Sequence, residues 1–154
     1  VSSNWYRPSQ SQALVRSICL FHKYGNGWND IGYNFVVDRF GQIFEARAGG
    51  VDEAIVGAQA GGYNVYSTGV ALLGNYAGSG PPRKAFDSLA QLLAWKLSLH
   101  GLELPGATTV SSARGSGGSA VCPPPELDTV GRRPRLADPY GARFAVPQSA
   151  PRQP

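Results

Sequence analysis

The sequence predicts an α/β fold in which two amphipathic helices accompany a set of short strands. Apolar residues recur at helical spacing near the start of the chain. Two strand-like runs between residues 31 and 46 are separated by a four-residue turn. A second run with helical spacing begins near residue 84. We find no internal repeat among these elements, which favours one domain with helices and strands interspersed.

The first helix is predicted from Ser9, whose hydroxyl can cap the N-terminus, to about His22. Five residues at helical spacing are expected to share its apolar face: Leu14, Val15, Ile18, Phe21 and His22. Tyr24-Gly25-Asn26-Gly27 should end the helix, because glycine and asparagine tolerate the positive φ that a helix end needs.

The strand-like runs predict a hairpin and a further buried strand. Ile31 to Val37 is expected to be a strand, residues 38–41 a turn and Gln42 to Ala46 the return strand. Gly69 to Tyr76 is a compact apolar run that is typical of a buried central strand. The glycine-rich stretch 47–64 between them has strand potential only at Ile55-Val56.

The second helix is predicted from about Lys84 to His100, with Gly101 ending it. Its apolar residues cover a wide face, which favours deep burial. They are Phe86, Leu89, Leu92, Leu93, Trp95 and Leu97.

Composition changes sharply near residue 101. Nine of the chain's 12 prolines follow it, together with few aromatic residues. Such a segment cannot bury enough apolar surface to offset the entropy of ordering it. We therefore expect an ordered domain over residues 1–104 and a Pro-, Arg- and Gly-rich irregular or disordered segment over 105–154.

Charge and cysteine content exclude several classes of function. The net charge of +4 comes from scattered basic residues, whereas a nucleic-acid-binding protein clusters them, so no nucleic-acid partner is expected. No stretch approaches the roughly 20 apolar residues of a membrane span.

The two cysteines, Cys19 and Cys122, are too few for a disulfide framework. The sequence does not decide whether they form a single disulfide with each other. The chain opens on Val1 without a signal peptide, and we expect it to be trimmed there.

Four sequence blocks, in order, resemble the zinc N-acetylmuramoyl-L-alanine amidases and the related peptidoglycan recognition proteins. The blocks are Gly27 to Asp38, Gly41 to Gly50, Val56 to Ala60 and Gly69 to Tyr76. The resemblance covers about residues 1–100. It implies a mixed β-sheet flanked by helices, here lacking its first strand, and a groove for peptidoglycan or muropeptide. It also implies a monomer that acts outside the cell or in the cell wall.

The resemblance further implies hydrolysis of the amide between N-acetylmuramic acid and L-alanine by a zinc ion held by two histidines and a Cys or Asp. Cys122, followed by Pro123, matches the family's Cys-Pro-Gly position. Ala113 stands where the second histidine is expected, and Val1 begins about where the family's His-His-Thr run ends. Since a catalytic zinc needs three protein ligands, we expect this chain to bind no zinc and to be inactive as an amidase.

Other family positions are retained. Tyr33 matches the tyrosine whose hydroxyl stabilises the developing oxyanion. Gly27, Trp28 and Arg47 match the pattern that accompanies diaminopimelate-type stem peptides. Diaminopimelate carries a carboxylate that lysine lacks, and an arginine can grip it through two hydrogen bonds. The alternative is that Trp28 belongs to the core and Arg47 is a solvated surface charge.

Two other metal arrangements are less favoured. Cys19 and His22 lie three residues apart on one helix face, but a small thiol and a hydrogen-bonded histidine are ordinary core residues. His100 is better explained by an interaction with the free carbonyls at its helix end. Three functions remain open: a zinc amidase domain, a peptidoglycan-binding module without catalysis, and an inactive fragment.

Overall fold

The computed structural model describes residues 3–102 of the chain. The irregular segment predicted over 105–154, and Cys122 with it, lie outside the described residues. Within them, the main elements are α1 (Ser11–Leu20), β1 (Phe35–Val37), β2 (Ile43–Glu45), β3 (Val70–Leu72) and α2 (Arg83–Leu99). No helix in residues 3–102 has the length and apolarity to cross a membrane.

The first predicted helix forms, but its two ends differ from the prediction. A 3-10 turn, Pro8–Gln10, precedes α1, so Ser9 is not the cap. Instead the N–H of Arg7 donates to Gln10 Oε1 at 2.8 Å. A π-turn, Phe21–Gly25, follows α1. The wider π-turn shifts side chains off the α-helical face, which leaves Phe21 exposed, contrary to the prediction, and His22 buried.

The predicted hairpin is confirmed, with β1 antiparallel to β2 and Val36 paired with Phe44. β3 runs parallel to β1, so the strand order is β2-β1-β3. Among the described residues the central strand is therefore β1, and the run from Gly69, which was predicted to take the centre, pairs there with β1 alone. An apolar run indicates that other elements pack on both faces of a strand. It does not indicate which strands pair with its two edges. All three strands are also shorter than predicted, and Ile55-Val56 forms none.

The sheet separates two apolar clusters, one against each helix. Val36 faces a cluster on the α1 side that includes Cys19 and Leu73. Phe35 and Val37, its neighbours on β1, face a cluster on the α2 side with Leu92. This alternation follows from the period of two of a β-strand. It confirms the mixed sheet with helices on both faces.

α2 buries a narrower face than predicted. Only Ala85, Leu92 and Lys96 are buried, while Phe86 and Leu93 are exposed. Apolar composition alone overstated the buried width, because only the stripe that meets the sheet is covered. The end of the helix is confirmed. Gly101 has φ +64°, and the N–H of Leu102 donates to the carbonyl of Leu97 at 3.0 Å.

Candidate functional site

Three aromatic rings cluster where α1 ends and the chain turns toward β1. The His22 ring lies 4.9 Å from the Trp28 ring and 5.5 Å from the Tyr33 ring, centroid to centroid. Trp28 is 39% exposed and Tyr33 is half-buried. The Tyr33 hydroxyl makes no hydrogen bond with other described residues. The cluster therefore brings together two of the residues that the sequence singled out, Trp28 and Tyr33.

The local chain path explains how Trp28 reaches His22. Gly27 has φ +70°, a conformation that favours glycine, and it reverses the chain after the π-turn. The N–H of Trp28 then donates to the His22 carbonyl at 3.0 Å. A Cβ at Gly27 would have no heavy atom within 4 Å, so there is open space beside Trp28. A Cβ at Gly32 would lie 2.9 Å from Trp28 Cζ3, so that close approach needs glycine.

His22 holds the cluster together, a role that the sequence did not indicate. It is 8% exposed, and its Nδ1 accepts a hydrogen bond from the Gly32 N–H at 3.1 Å. An accepting Nδ1 carries no proton, so the neutral ring has its proton on Nε2. Burial lowers the pKa of His22, which favours that neutral form. The helix-ending run Tyr24-Gly25-Asn26-Gly27, which begins two residues after His22, was the sequence signal that His22 lies near a turn.

Arg47 is buried and does not lie at the solvated surface. It is 4% exposed, and its Nη1 donates to the Ile31 carbonyl at 3.0 Å. Its backbone N–H donates to the Tyr33 carbonyl at 3.0 Å. The next residue, Ala48, donates its N–H to the buried Asp30 carboxylate at 2.9 Å. The structure thus places Arg47 next to the Tyr33 backbone and excludes a solvated surface charge.

A polar network that the sequence did not single out borders the same region. Asn34 Nδ2 donates to the Ile55 carbonyl at 2.7 Å, and Asn34 Oδ1 accepts from the Gly69 N–H at 2.9 Å. Asn64 Oδ1 accepts from the N–H groups of Gln59 and Ala60. These bonds fix two loops against the start of β1. The side-chain oxygen of Gln59 is buried there without a hydrogen-bond partner among the described residues.

The described residues do not fit a zinc site. In residues 3–102 no three side chains of His, Cys, Asp or Glu come together as metal ligands. The Cys19 sulfur lies 3.6 Å from Asp30 Oδ1, and His22 Nδ1 is engaged by the Gly32 N–H. His100 is exposed at the end of α2. Cys122, the ligand that the resemblance implies, lies outside the described residues.

The mixed sheet with a helix on each face is the architecture that the resemblance implied. The chain belongs to the N-acetylmuramoyl-L-alanine amidase family, whose sequence profile matches residues 2–125. This match extends past the four blocks that carried the resemblance and includes Cys122.

Named relatives agree with this family. The chain is 37% identical over 90 residues to peptidoglycan-recognition protein LB of Drosophila melanogaster, covering 58% of this chain and 37% of that protein. It is 40% identical over 81 residues to the N-acetylmuramoyl-L-alanine amidase of Mus musculus, covering 53% of this chain and 14% of that enzyme. The chain thus spans much less than two thirds of the length of these relatives.

A solved structure agrees at the level of the fold. The chain superposes on peptidoglycan recognition protein-LE, crystallised with tracheal cytotoxin, a monomeric diaminopimelic acid-type peptidoglycan. The TM-score is 0.55 at 34% sequence identity. The superposition covers 63% of this chain and 54% of the other.

Proposed function

We propose that this chain binds peptidoglycan through the surface formed by Trp28, Tyr33 and the open space at Gly27. The observation that carries the proposal is the packing of the Trp28 and Tyr33 rings against His22. That packing holds a partly exposed indole and a half-buried phenol against the same histidine ring. Such an amphipathic wall suits a muropeptide, which has both apolar and hydrogen-bonding groups. We further propose that the chain is a monomer and that it acts outside the cell or at the cell wall.

The preferred stem peptide in this proposal is the diaminopimelate type. Gly27, Trp28 and Arg47 carry that specificity, and the relative crystallised with a diaminopimelic acid-type ligand supports it. Because Arg47 is buried, its guanidinium gives up a hydrogen bond within the protein when it binds the extra carboxylate of diaminopimelate. The present hydrogen bond from Arg47 Nη1 to the Ile31 carbonyl has an uncharged acceptor. A carboxylate offers a charged acceptor for two parallel bonds, which favours the exchange.

The proposal is tested by titrating purified chain with a diaminopimelate-type muropeptide in a calorimeter. Trp28→Ala removes the exposed wall and should weaken binding by about tenfold or more, the usual effect at a central aromatic contact. Trp5→Ala is the matched control, because Trp5 is 93% exposed and contacts none of the three rings in the cluster. Equal losses in the two variants, or none in Trp28→Ala, would contradict the proposal.

Zinc-dependent amidase activity is the second candidate, favoured by the family. We propose that this chain does not perform it, since three zinc ligands are not assembled by the described residues. The resemblance also puts Ala113 at a ligand position. The test is metal analysis after dialysis together with an assay for release of the stem peptide from muropeptides. We expect far less than about one zinc per chain and no cleavage. Stoichiometric zinc with cleavage would establish the amidase instead.

A further inference from the structure

Lys96 is a buried lysine whose ammonium group contacts a loop of the candidate site. It is 5% exposed and lies on the face of α2 that also buries Ala85 and Leu92. Its Nζ donates hydrogen bonds to the carbonyl of Val51 at 3.0 Å and to the carbonyl of Glu53 at 2.6 Å. Both carbonyls belong to residues 47–58, which we call the Arg47 loop. The lysine therefore joins α2 to the middle of this loop.

Stability alone does not account for a lysine at this position. Burial lowers the pKa of Lys96, and the nearby Asp52 and Glu53 carboxylates offset only part of that effect. The ammonium also lies 5.9 Å from the ring centroids of Phe35 and Trp95, at the outer limit of a cation–π contact, so the rings attract it only weakly. An apolar side chain of similar volume is often neutral or stabilising in place of a buried charge. Its two hydrogen bonds instead connect α2 to the loop backbone at Val51 and Glu53.

The Arg47 loop is attached to the candidate site at both ends. At its start, the Arg47 N–H donates to the Tyr33 carbonyl at 3.0 Å. At its end, the Ala58 N–H donates to the Gly32 carbonyl at 2.8 Å. The loop contains neither helix nor strand between these points. Its shape therefore depends on side-chain contacts, and Lys96 supplies two of them near its centre.

We propose that Lys96 is a positioning residue for stem-peptide specificity. It holds the Arg47 loop in the conformation from which Arg47 meets the diaminopimelate carboxylate. This inference rests on the proposed peptidoglycan-binding function. Lys96 does not touch the peptide in this scheme and acts only through the loop.

Lys96→Met tests the proposal, because it keeps most of the side-chain volume and removes the N–H donors. We expect amides of residues 49–55 to exchange hydrogen about tenfold faster or more, as local opening becomes easier. We also expect the ratio of affinities for diaminopimelate-type over lysine-type muropeptides to fall by about fivefold or more. Lys96→Arg, which retains charged donors, should restore much of both. Lys84→Met is the matched control, since Lys84 is exposed on the same helix.

The two readouts must change together. A change in only one of them, or in neither, overturns the proposal, because the effect would then not pass from Lys96 through the loop to the peptide. If Lys96→Met does not fold, Lys96→Gln, which is neutral and one atom shorter, should change both readouts in the same direction by a smaller amount. Wild-type chain that binds no muropeptide would refute the proposed function itself. If the wild-type chain prefers diaminopimelate-type muropeptides and the Lys96 variants keep the same preference, only this inference is refuted.

Discussion

The backbone N–H of Gly32 donates to His22 Nδ1 at 3.1 Å, and this bond joins the end of α1 to the segment that carries Tyr33. The carbonyl of the same glycine accepts from the Ala58 N–H at 2.8 Å. Gly32 thus connects the aromatic cluster on one side with the Arg47 loop on the other. We therefore expect substitutions that disturb either hydrogen bond of Gly32 to alter the proposed binding surface.

The first prediction concerns pH. The pKa of His22 is lowered below its ordinary value of about 6.5 by burial. Between these two pKa values the unfolded chain binds a proton that the folded chain does not, so stability rises with pH. The contribution of His22 is therefore complete above about pH 7 and decreases as the pH falls through this window.

Denaturant unfolding at pH 7.5 and at pH 5 measures the effect. His22→Asn removes the titration and offers an oxygen to the Gly32 N–H, so it should lose less stability than wild type between the two pH values. His100→Asn, at an exposed position, is the control. Identical losses in wild type and His22→Asn would contradict the prediction.

The second prediction concerns the close approach at Gly32. Gly32→Ala places a Cβ 2.9 Å from Trp28 Cζ3 and 3.0 Å from the Ala58 carbonyl oxygen, so one of them must move. Muropeptide affinity should fall by about fivefold or more, because the indole forms the exposed wall. Calorimetric titration measures it. Gly78→Ala, whose Cβ would meet nothing within 4 Å, should bind as wild type does.

The third prediction concerns specificity. Two stem peptides that differ by one carboxylate can be distinguished only by a donor placed to meet it. A charge-assisted hydrogen bond contributes about 1.5–3 kcal/mol, or roughly 10- to 150-fold in affinity. Arg47→Ala should therefore remove most of the preference for the diaminopimelate type and leave binding of the lysine type nearly unchanged. Trp28→Ala should weaken both.

Arg47→Ala also deprives the Ile31 carbonyl of a donor, so folding of this variant must be verified first. Arg47→Lys keeps the charge but loses the two-pronged geometry, and it should show an intermediate preference. Equal wild-type affinity for the two peptides would refute the specificity assigned to Arg47.

The fourth prediction concerns the hairpin turn that precedes β2. The fully buried Asp38 accepts from the N–H groups of Phe40 and Gln42 and from the Ser11 hydroxyl, at 2.8, 2.8 and 2.6 Å. Asp38→Ala leaves these donors buried without an acceptor and should cost about 3 kcal/mol or more. Chemical denaturation measures the loss.

Asp87 provides the matched comparison for Asp38. It pairs with Arg83 at 2.7 Å on the exposed side of α2, where both side chains are accessible. Exposed pairs of this kind contribute about 0–1 kcal/mol, so Asp87→Ala should be nearly neutral. Similar losses for the two substitutions would show that the turn does not depend on the Asp38 carboxylate.

Local patterns in the sequence were sufficient to predict both helices, the hairpin and the glycine stop at Gly101. Helical spacing and strand alternation record which residues face the core. These patterns do not indicate which other elements pack against a given face of a helix or strand. For that reason the burial of Phe86 was predicted wrongly. The exposure of Phe21 was missed because a π-turn is not visible in the spacing.

For the site, the sequence by itself determined the family and singled out Gly27, Trp28, Tyr33 and Arg47. Only the tertiary structure placed Arg47 beneath the surface, and only it joined His22 and Lys96 to the site. His22 accepts from a backbone N–H ten residues along the chain, and Lys96 donates to carbonyls more than 40 residues away. Backbone groups are the same in every residue. A side chain that acts through them is therefore identified only when the folded chain brings the two together.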